Sequence, residues 1–387
     1  MRRDWLISRI GDYCEVIAGQ SPESQFYNLG GVGMPFYQGK KEFGEKFLKA
    51  PTTWTTQSAK VAREGDVLMS VRAPVGPVNF TNEEICIGRG LAAIRSSPKI
   101  NKDFLFYQLL YLQPKISGKE GAVFASINKS EIEALPLVIA SLPEQQRIVA
   151  LLDEAFAGLA TAKANAERNL QNARAVFESH LESVFSERSQ GWIDSTIGAE
   201  NRFIDYRGKT PTKTATGIPL ITAKNIKMGF LQKEPKEFIA ESDYASWMRR
   251  GIPEKGDVLF TTEAPLANVA QLDTDEKVAF AQRVIIMQPD KSRLSSCFLK
   301  YLLLSKSAQD RIRLHGTGAT VQGIKASLLR LVEISFPQSL EQQELIVRRL
   351  DALSEETQRL THIYERKLAA LKELKKSLLQ QAFNGEL

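Results

Sequence analysis

The feature that most constrains this chain is that the same short signatures run through it twice, in the same order. Trp5 and Ile10-Gly11 return as Trp192 and Ile197-Gly198, and Gly19-Gln20-Ser21-Pro22 returns as Gly208-Lys209-Thr210-Pro211. The stretch Pro35 to Lys40 matches Pro219 to Lys224; Gly65-Asp66-Val67-Leu68 recurs unchanged at 256–259, and Ala73-Pro74 at 264–265. Phe104-Leu105 and Tyr107 come back as Phe298-Leu299 and Tyr301, and Glu144-Gln145-Gln146 as Glu341-Gln342-Gln343. The offset stays between 184 and 198, a drift that small loop insertions explain. One match of this kind is chance; an ordered series is an internal repeat.

Each repeat has two parts. Residues 1–141 and 187–339 mix short apolar runs (66–71, 91–94, 258–260, 284–287) with Gly/Pro turns and short helical stretches at 104–112 and 298–305. That pattern predicts a mixed α/β (α+β) domain with several strands. Residues 142–186 and 340–387 instead carry apolar residues stepping by three or four, without an internal proline after the first turn. Each opens with Ser at the cap and acid in the first turn, so each is expected to be one long helix of roughly 65 Å. A single-stripe helix of that length needs a partner of similar length. The first stripe is rich in Ala and the second in Leu, which favours an antiparallel pair of the two. Leu152, Leu159, Ala166 and Phe177 of the first helix and Leu350, Leu360, Leu371 and Leu378 of the second are the expected pairing positions. Two separate helices, each packed on its own domain, are the competing reading.

Composition narrows the class. With 43% hydrophobic residues over 387 positions, real cores are affordable and disorder is excluded as the main description. No stretch approaches 18 apolar residues and the N-terminus lacks a signal-peptide pattern, so a cytoplasmic protein is expected. Cys14, Cys86 and Cys297 are too scattered for a disulfide framework or a zinc site. The net charge of +6 says little until it is divided: the two globular parts carry +3 and +5, the helices −2 and 0. Phosphates, if bound, belong to the globular parts, and the helices to protein partners.

Catalytic signatures are missing. Gly208-Lys209-Thr210 resembles the end of a P-loop, but Phe203 stands where that loop needs glycine. Neither Gly30-Gly31-Val32-Gly33 nor Gly316-Thr317-Gly318 completes a dinucleotide fingerprint, and no amino-methyltransferase tetrapeptide is present. Glu234-Pro235-Lys236 and Asp275-Glu276-Lys277 fit half of a metal-dependent nuclease site, without the upstream acid. The chemistry is that of recognition rather than reaction, and neither a metal nor a cofactor is expected in this chain.

Two α/β domains, each followed by a long helix opened by a Leu-x-Glu-Gln-Gln-like box, resemble the specificity subunit of type I restriction–modification enzymes. The box residues are Leu142 to Gln146 with Ile148 to Asp153, and Leu340 to Gln343 with Leu345 to Asp351; Gln381 to Leu387 add to the likeness. The resemblance implies a non-catalytic subunit whose two target recognition domains each read half of a bipartite double-stranded DNA sequence. It implies helices that space the half-sites and dock two modification subunits, which bind S-adenosylmethionine and methylate adenine N6. Motor-nuclease subunits would complete the restriction complex. A metal-dependent nuclease with duplicated domains and a coiled-coil interaction scaffold are the alternatives.

The repeat also sorts candidate DNA contacts, because residues shared by both domains cannot make them read different bases. Shared Lys40/Lys224 and Arg89/Arg283 suit phosphate positioning, and the Gly-x-(Ser/Thr)-Pro loops could offer backbone N–H groups, or be plain turns. Unshared polar residues beside them are the base-reading candidates: Tyr37, Gln38, Lys41 and Arg72 in the first domain, and Thr222, Asn225, Lys227, Thr262 and Glu263 in the second.

Overall fold

The computed structural model describes residues 5–117, 126–187, 190–206, 210–317 and 322–387. Gly208, Lys209, Gly318 and Val321, which figure in the sequence motifs, lie outside them. By contact the chain divides into two compact units, Met1–Glu167 with Arg366–Leu387, and Arg168–Glu365. Each unit therefore joins one globular part to one end of both long helices, where the sequence suggests four successive segments.

In the first unit, Leu6–Arg9 pairs antiparallel with Pro136–Ile139, tying the first residues of the domain to those before the helix. A four-stranded antiparallel sheet runs in the order Cys14–Ala18, Leu91–Ser96, Val67–Ser70, Val78–Phe80. Beside it, five short strands centre on Met34–Tyr37, which pairs parallel to Ile85–Ile87. The two central strands of this sheet, Leu91–Ser96 and Val67–Ser70, are buried along most of both faces, so they read as continuous apolar runs, whereas the edge strand Cys14–Ala18 alternates. The helix Lys102–Ser117 packs on that sheet.

The second unit repeats this plan. Trp192–Thr196 pairs with Glu333–Pro337, and the four-stranded sheet runs Asn201–Asp205, Val284–Pro289, Val258–Thr261, Val269–Gln271. Ile218–Ile221 lies parallel to Ala279–Phe280, as Met34–Tyr37 does to its neighbour. The repeated Gly-Asp-Val-Leu is a strand entry in both units. Gly65 and Gly256 turn with φ of +83° and +91°, where a side chain would be strained, and the strand begins at the valine.

The long helices span Leu142–Ser186 and Leu340–Asn384, 45 residues each. Within the first unit the N-terminal end of one meets the C-terminal end of the other. Ile148 and Leu152 share a core with Leu379, Ala382 and Phe383, and the Phe383 ring stands edge-on to Phe104 at 5.3 Å. In the second unit Leu181 shares a core with Val347 and Leu350, and Phe185 stands edge-on to Phe298, also at 5.3 Å. The repeated Phe185 and Phe383 thus perform one task in two places. All eight expected pairing residues are buried or half-buried, with Ala166 and Ala173 buried where the stripe turns to alanine. Among the described residues no helix is long and apolar enough to cross a membrane.

Two side chains fasten each helix to its globular part. Gln145 is fully buried; its Oε1 accepts from the Asn101 N–H at 2.8 Å, and its Nε2 donates to the Lys99 and Ala140 carbonyls. Gln343 does the same with Ser295 N–H and the Arg293 and Pro337 carbonyls. This corrects the register of the repeat: Gln145 corresponds to Gln343, at an offset of 198, and not to Gln342 as letter matching suggests. About two turns on, the Tyr107 hydroxyl donates to Asp153, and Tyr301 to Asp351. Burial, and then the carboxylate each hydroxyl faces, push both phenols far above their ordinary value.

Candidate nucleic-acid interface

Backbone hydrogen bonds draw four loops of the first unit into one rim. The 19–22 loop is held by Gly19 N–H to Leu91 carbonyl and Gln20 N–H to Ile87 carbonyl. The Gly88 N–H donates to Tyr37 and the Gly90 N–H to Gln38, which brings the loop at 38–41 alongside. The Val71 N–H reaches the Gly90 carbonyl, and Arg72 bridges to Ser126. Gly90 is required there, since a Cβ would lie 2.3 Å from the Gln38 carbonyl oxygen. Gln38, Lys40, Lys41, Arg72 and Arg89 are thereby gathered, and all five are exposed. Among the described residues none of the four cations is ion-paired, so their charge is available to a polyanion.

Tyr37 is not available. It is 2% exposed, its hydroxyl donates to the Lys49 carbonyl, and burial, with Glu83 and Glu42 nearby, pushes its pKa up to about 12. The 19–22 loop is a turn rather than a phosphate cradle at its first two residues, because both N–H groups are already bonded and Ser21 Oγ accepts from Arg89 N–H.

Among the described residues the second unit repeats part of this rim with other side chains. Ala281 N–H donates to Ile221, Thr262 N–H to the Arg283 carbonyl, and Ile324 N–H to Thr262; Glu263 bridges to Gly323. Three expected readers are structural here. Asn225 takes two bonds from Thr222 on Oδ1 and donates from Nδ2 to Gln232 and Pro235, and the Thr262 hydroxyl donates to the Arg283 carbonyl. All three (Thr222, Asn225, Thr262) are buried: a loop residue with a short polar side chain bonds its own backbone before it meets a ligand. Lys227 is half-buried at the base of the Ile226–Leu231 hairpin, outside the rim. Lys224, Glu263 and Arg283 remain, with Arg283 Nε 2.9 Å from Glu263 Oε1.

The backbone register corrects a second pairing. Gly88 and Ala281 make equivalent bonds, as do the Gly90 and Arg283 carbonyls, so Arg283 stands where the first unit has Gly90. Arg89 corresponds to Gln282, and the two arginines are not a shared anchor. Lys224 occupies a loop one residue shorter than the one holding Lys40 and Lys41. Sequence reasoning also missed the extended segments at 126–127 and 322–324, which close each rim; the matched Ile127 and Ile324 were their available signal. As for the nuclease-like tripeptides, Lys236 pairs with Glu234 itself at 3.9 Å and Asp275 with Lys255 at 3.0 Å.

Residues 2–168 and 207–370 match the family model for the type I restriction modification DNA specificity domain. The chain belongs to this family. It is 20% identical to the type I restriction enzyme MjaVIII specificity subunit of Methanocaldococcus jannaschii over 413 aligned positions, covering 99% of this chain and 93% of that one. The MjaX specificity subunit of the same organism is 41% identical over 175 residues, 44% of this chain and 41% of that relative, so that match spans less than half of its length. Among solved structures, a chain from work on complex assembly and conformational transition of the type I R-M system superposes with a TM-score of 0.82 at 18% identity, covering 100% and 99%. The HsdS subunit from Thermoanaerobacter tengcongensis gives 0.59 at 20% identity, covering 100% and 98%. These likenesses show the mixed α/β fold with long helices. A member of the specificity family is a DNA-recognition protein and is not catalytic, which sets the nuclease reading aside.

Proposed function

We propose that each globular part reads one half of a bipartite duplex target, the first through Gln38, Lys40, Lys41, Arg72 and Arg89, the second through Lys224, Glu263 and Arg283. The observation that carries this reading is that three backbone bonds of one rim recur in the other with different side chains around them. A common frame suits a common B-DNA backbone, and differing tips suit different bases. The long helices hold the two readers at a set separation. Two modification subunits dock on the chain, because it presents equivalent faces twice. The hairpin bridged at Phe43 and Leu48 recurs at Ile226 and Leu231, each with an exposed phenylalanine at its tip, Phe47 and Phe230. In the first unit this hairpin borders a groove of about 760 Å³ with Phe106, Leu110, Phe156 and Leu371. S-adenosylmethionine belongs to those partners, motor-nuclease subunits complete the restriction complex, and the assembly works in the cytoplasm.

The test is to map N6-methyladenine in the host with the gene intact, deleted, and with residues 187–339 replaced by another domain of the family. Deletion removes methylation at one bipartite motif, and the replacement alters one half of that motif only. Methylation unaffected by deletion, or both halves altered by the replacement, overturns the reading.

A further inference from the structure

At one place the two rims differ in kind. Arg72 and Glu263 are equivalent: each lies two residues beyond its strand, precedes Ala-Pro, and bridges to the closing segment, at Ser126 and Gly323. Gly90 and Arg283 are equivalent by their carbonyl bonds. So the first unit sets an arginine beside a glycine, and the second sets a glutamate beside an arginine. The two second-unit side chains meet at 2.9 Å through Arg283 Nε, each about half exposed (47% and 45%). Among the described residues the Nη1 and Nη2 groups of Arg283 have no partner.

We infer that Arg283 reads a guanine in the second half-site and that Glu263 is its positioning residue. The inference rests on the DNA-reading role proposed above and reverses the roles that the repeated letters suggest. An ion pair at the Nε edge limits how the guanidinium turns, and its two remaining nitrogens present parallel N–H donors that match guanine O6 and N7. Phosphate binding needs no such tether, and a neighbouring carboxylate opposes it by cancelling the charge that would release counterions. The first unit cannot copy the arrangement. Its Gly90 has no room for a side chain, and among the described residues Arg72 has no carboxylate paired with it. The two rims therefore have different base preferences although their backbones agree.

The experiment is selection of a randomised duplex library by the full chain assembled with its modification subunits, as wild type, Glu263→Gln, Arg283→Lys and Arg283→Ala. Salt dependence on the winning duplex is measured for each variant. Arg283→Lys and Arg283→Ala should lose preference for one guanine by roughly 5- to 150-fold. Glu263→Gln should weaken the same position, with the salt slope nearly unchanged and the other half-site intact. A motif unchanged in all three variants overturns the inference. So does a slope smaller by about one for Arg283→Ala with the motif unchanged, the sign of a phosphate contact. Loss of a different base in Glu263→Gln alone would show that Glu263 reads directly, which also overturns it. A wild type that selects no motif instead removes the underlying DNA-reading role, an outcome distinct from these. Thermal unfolding of each variant separates a lost contact from a lost fold.

Discussion

The two units agree in their backbone and disagree in how they neutralise it. Both bury the aspartate of Gly-Asp-Val-Leu, at 3% exposure for Asp66 and 1% for Asp257, and both use it to receive a turn N–H, from Arg63 and Glu254. In the first unit Asp66 is held bidentately by Arg95, which also reaches Glu15. In the second the neighbouring strand offers only the neutral Gln288. Burial raises the pKa of Asp257 more than its bonds to Glu254 and Gln288 lower it. Likewise Lys46 joins Asp103 and Asp153 at 3.0 and 2.9 Å in the first unit, where the matching hairpin position of the second is Gly229. A duplicated frame keeps its geometry while its charges change, because the geometry rests on main-chain bonds and apolar burial.

The largest effect should come from what the units share. Gln145→Leu leaves one N–H and two carbonyls without partners, a loss of about 3 kcal/mol, and Gln343→Leu should lose the same. Denaturant unfolding measures both; clearly unequal losses would break the equivalence of the two joints. The aspartates should then separate the units. Asp66→Asn strips Arg95 of its main partner and should cost about 2 kcal/mol, reduced from a fully buried pair because Arg95 is a quarter exposed and keeps Glu15. Asp257→Asn should change stability by under about 1 kcal/mol at neutral pH. Its sign follows from linkage: the folded state holds this proton more tightly, so the second unit loses stability as pH rises from 3.8 to the raised value. Asn removes that slope. Hydrogen exchange across Val67–Ser70 and Val258–Thr261 between pH 4 and 7 reads the two units separately, and a slope that persists in Asp257→Asn would refute the assignment. Lys46→Met should cost about 0.5 kcal/mol, confined to the first unit and seen as faster exchange in residues 102–110.

The repeat, the α/β class and the two long helices were legible in the sequence because periodicity and turn chemistry are local and survive small indels. The site was only partly legible. Tyr37, Thr222, Asn225 and Thr262 are polar residues at strand ends, and no pattern of letters tells a loop residue that faces solvent from one that bonds its own turn. The matched arginines misled for a related reason. Arg89 and Arg283 align by identity, yet one residue of slip moves a side chain to a different place on the rim, and only the carbonyl bonds of Gly90 and Arg283 reveal it. The glutamines misled in the same way, by one residue.

The joint between helix and globular part has a consequence for how such chains can change. On the helix side it is specified by side chains, Gln145 with Asp153 and Gln343 with Asp351. On the globular side, apart from one tyrosine and, in the first unit, Lys46, its hydrogen bonds are received by main-chain groups that every sequence carries. A plug that fits peptide groups accepts any domain whose backbone follows the same path. Genetic exchange that replaces one globular part wholesale therefore leaves these hydrogen bonds intact, and on the function proposed above it brings a new half-site in a single recombination.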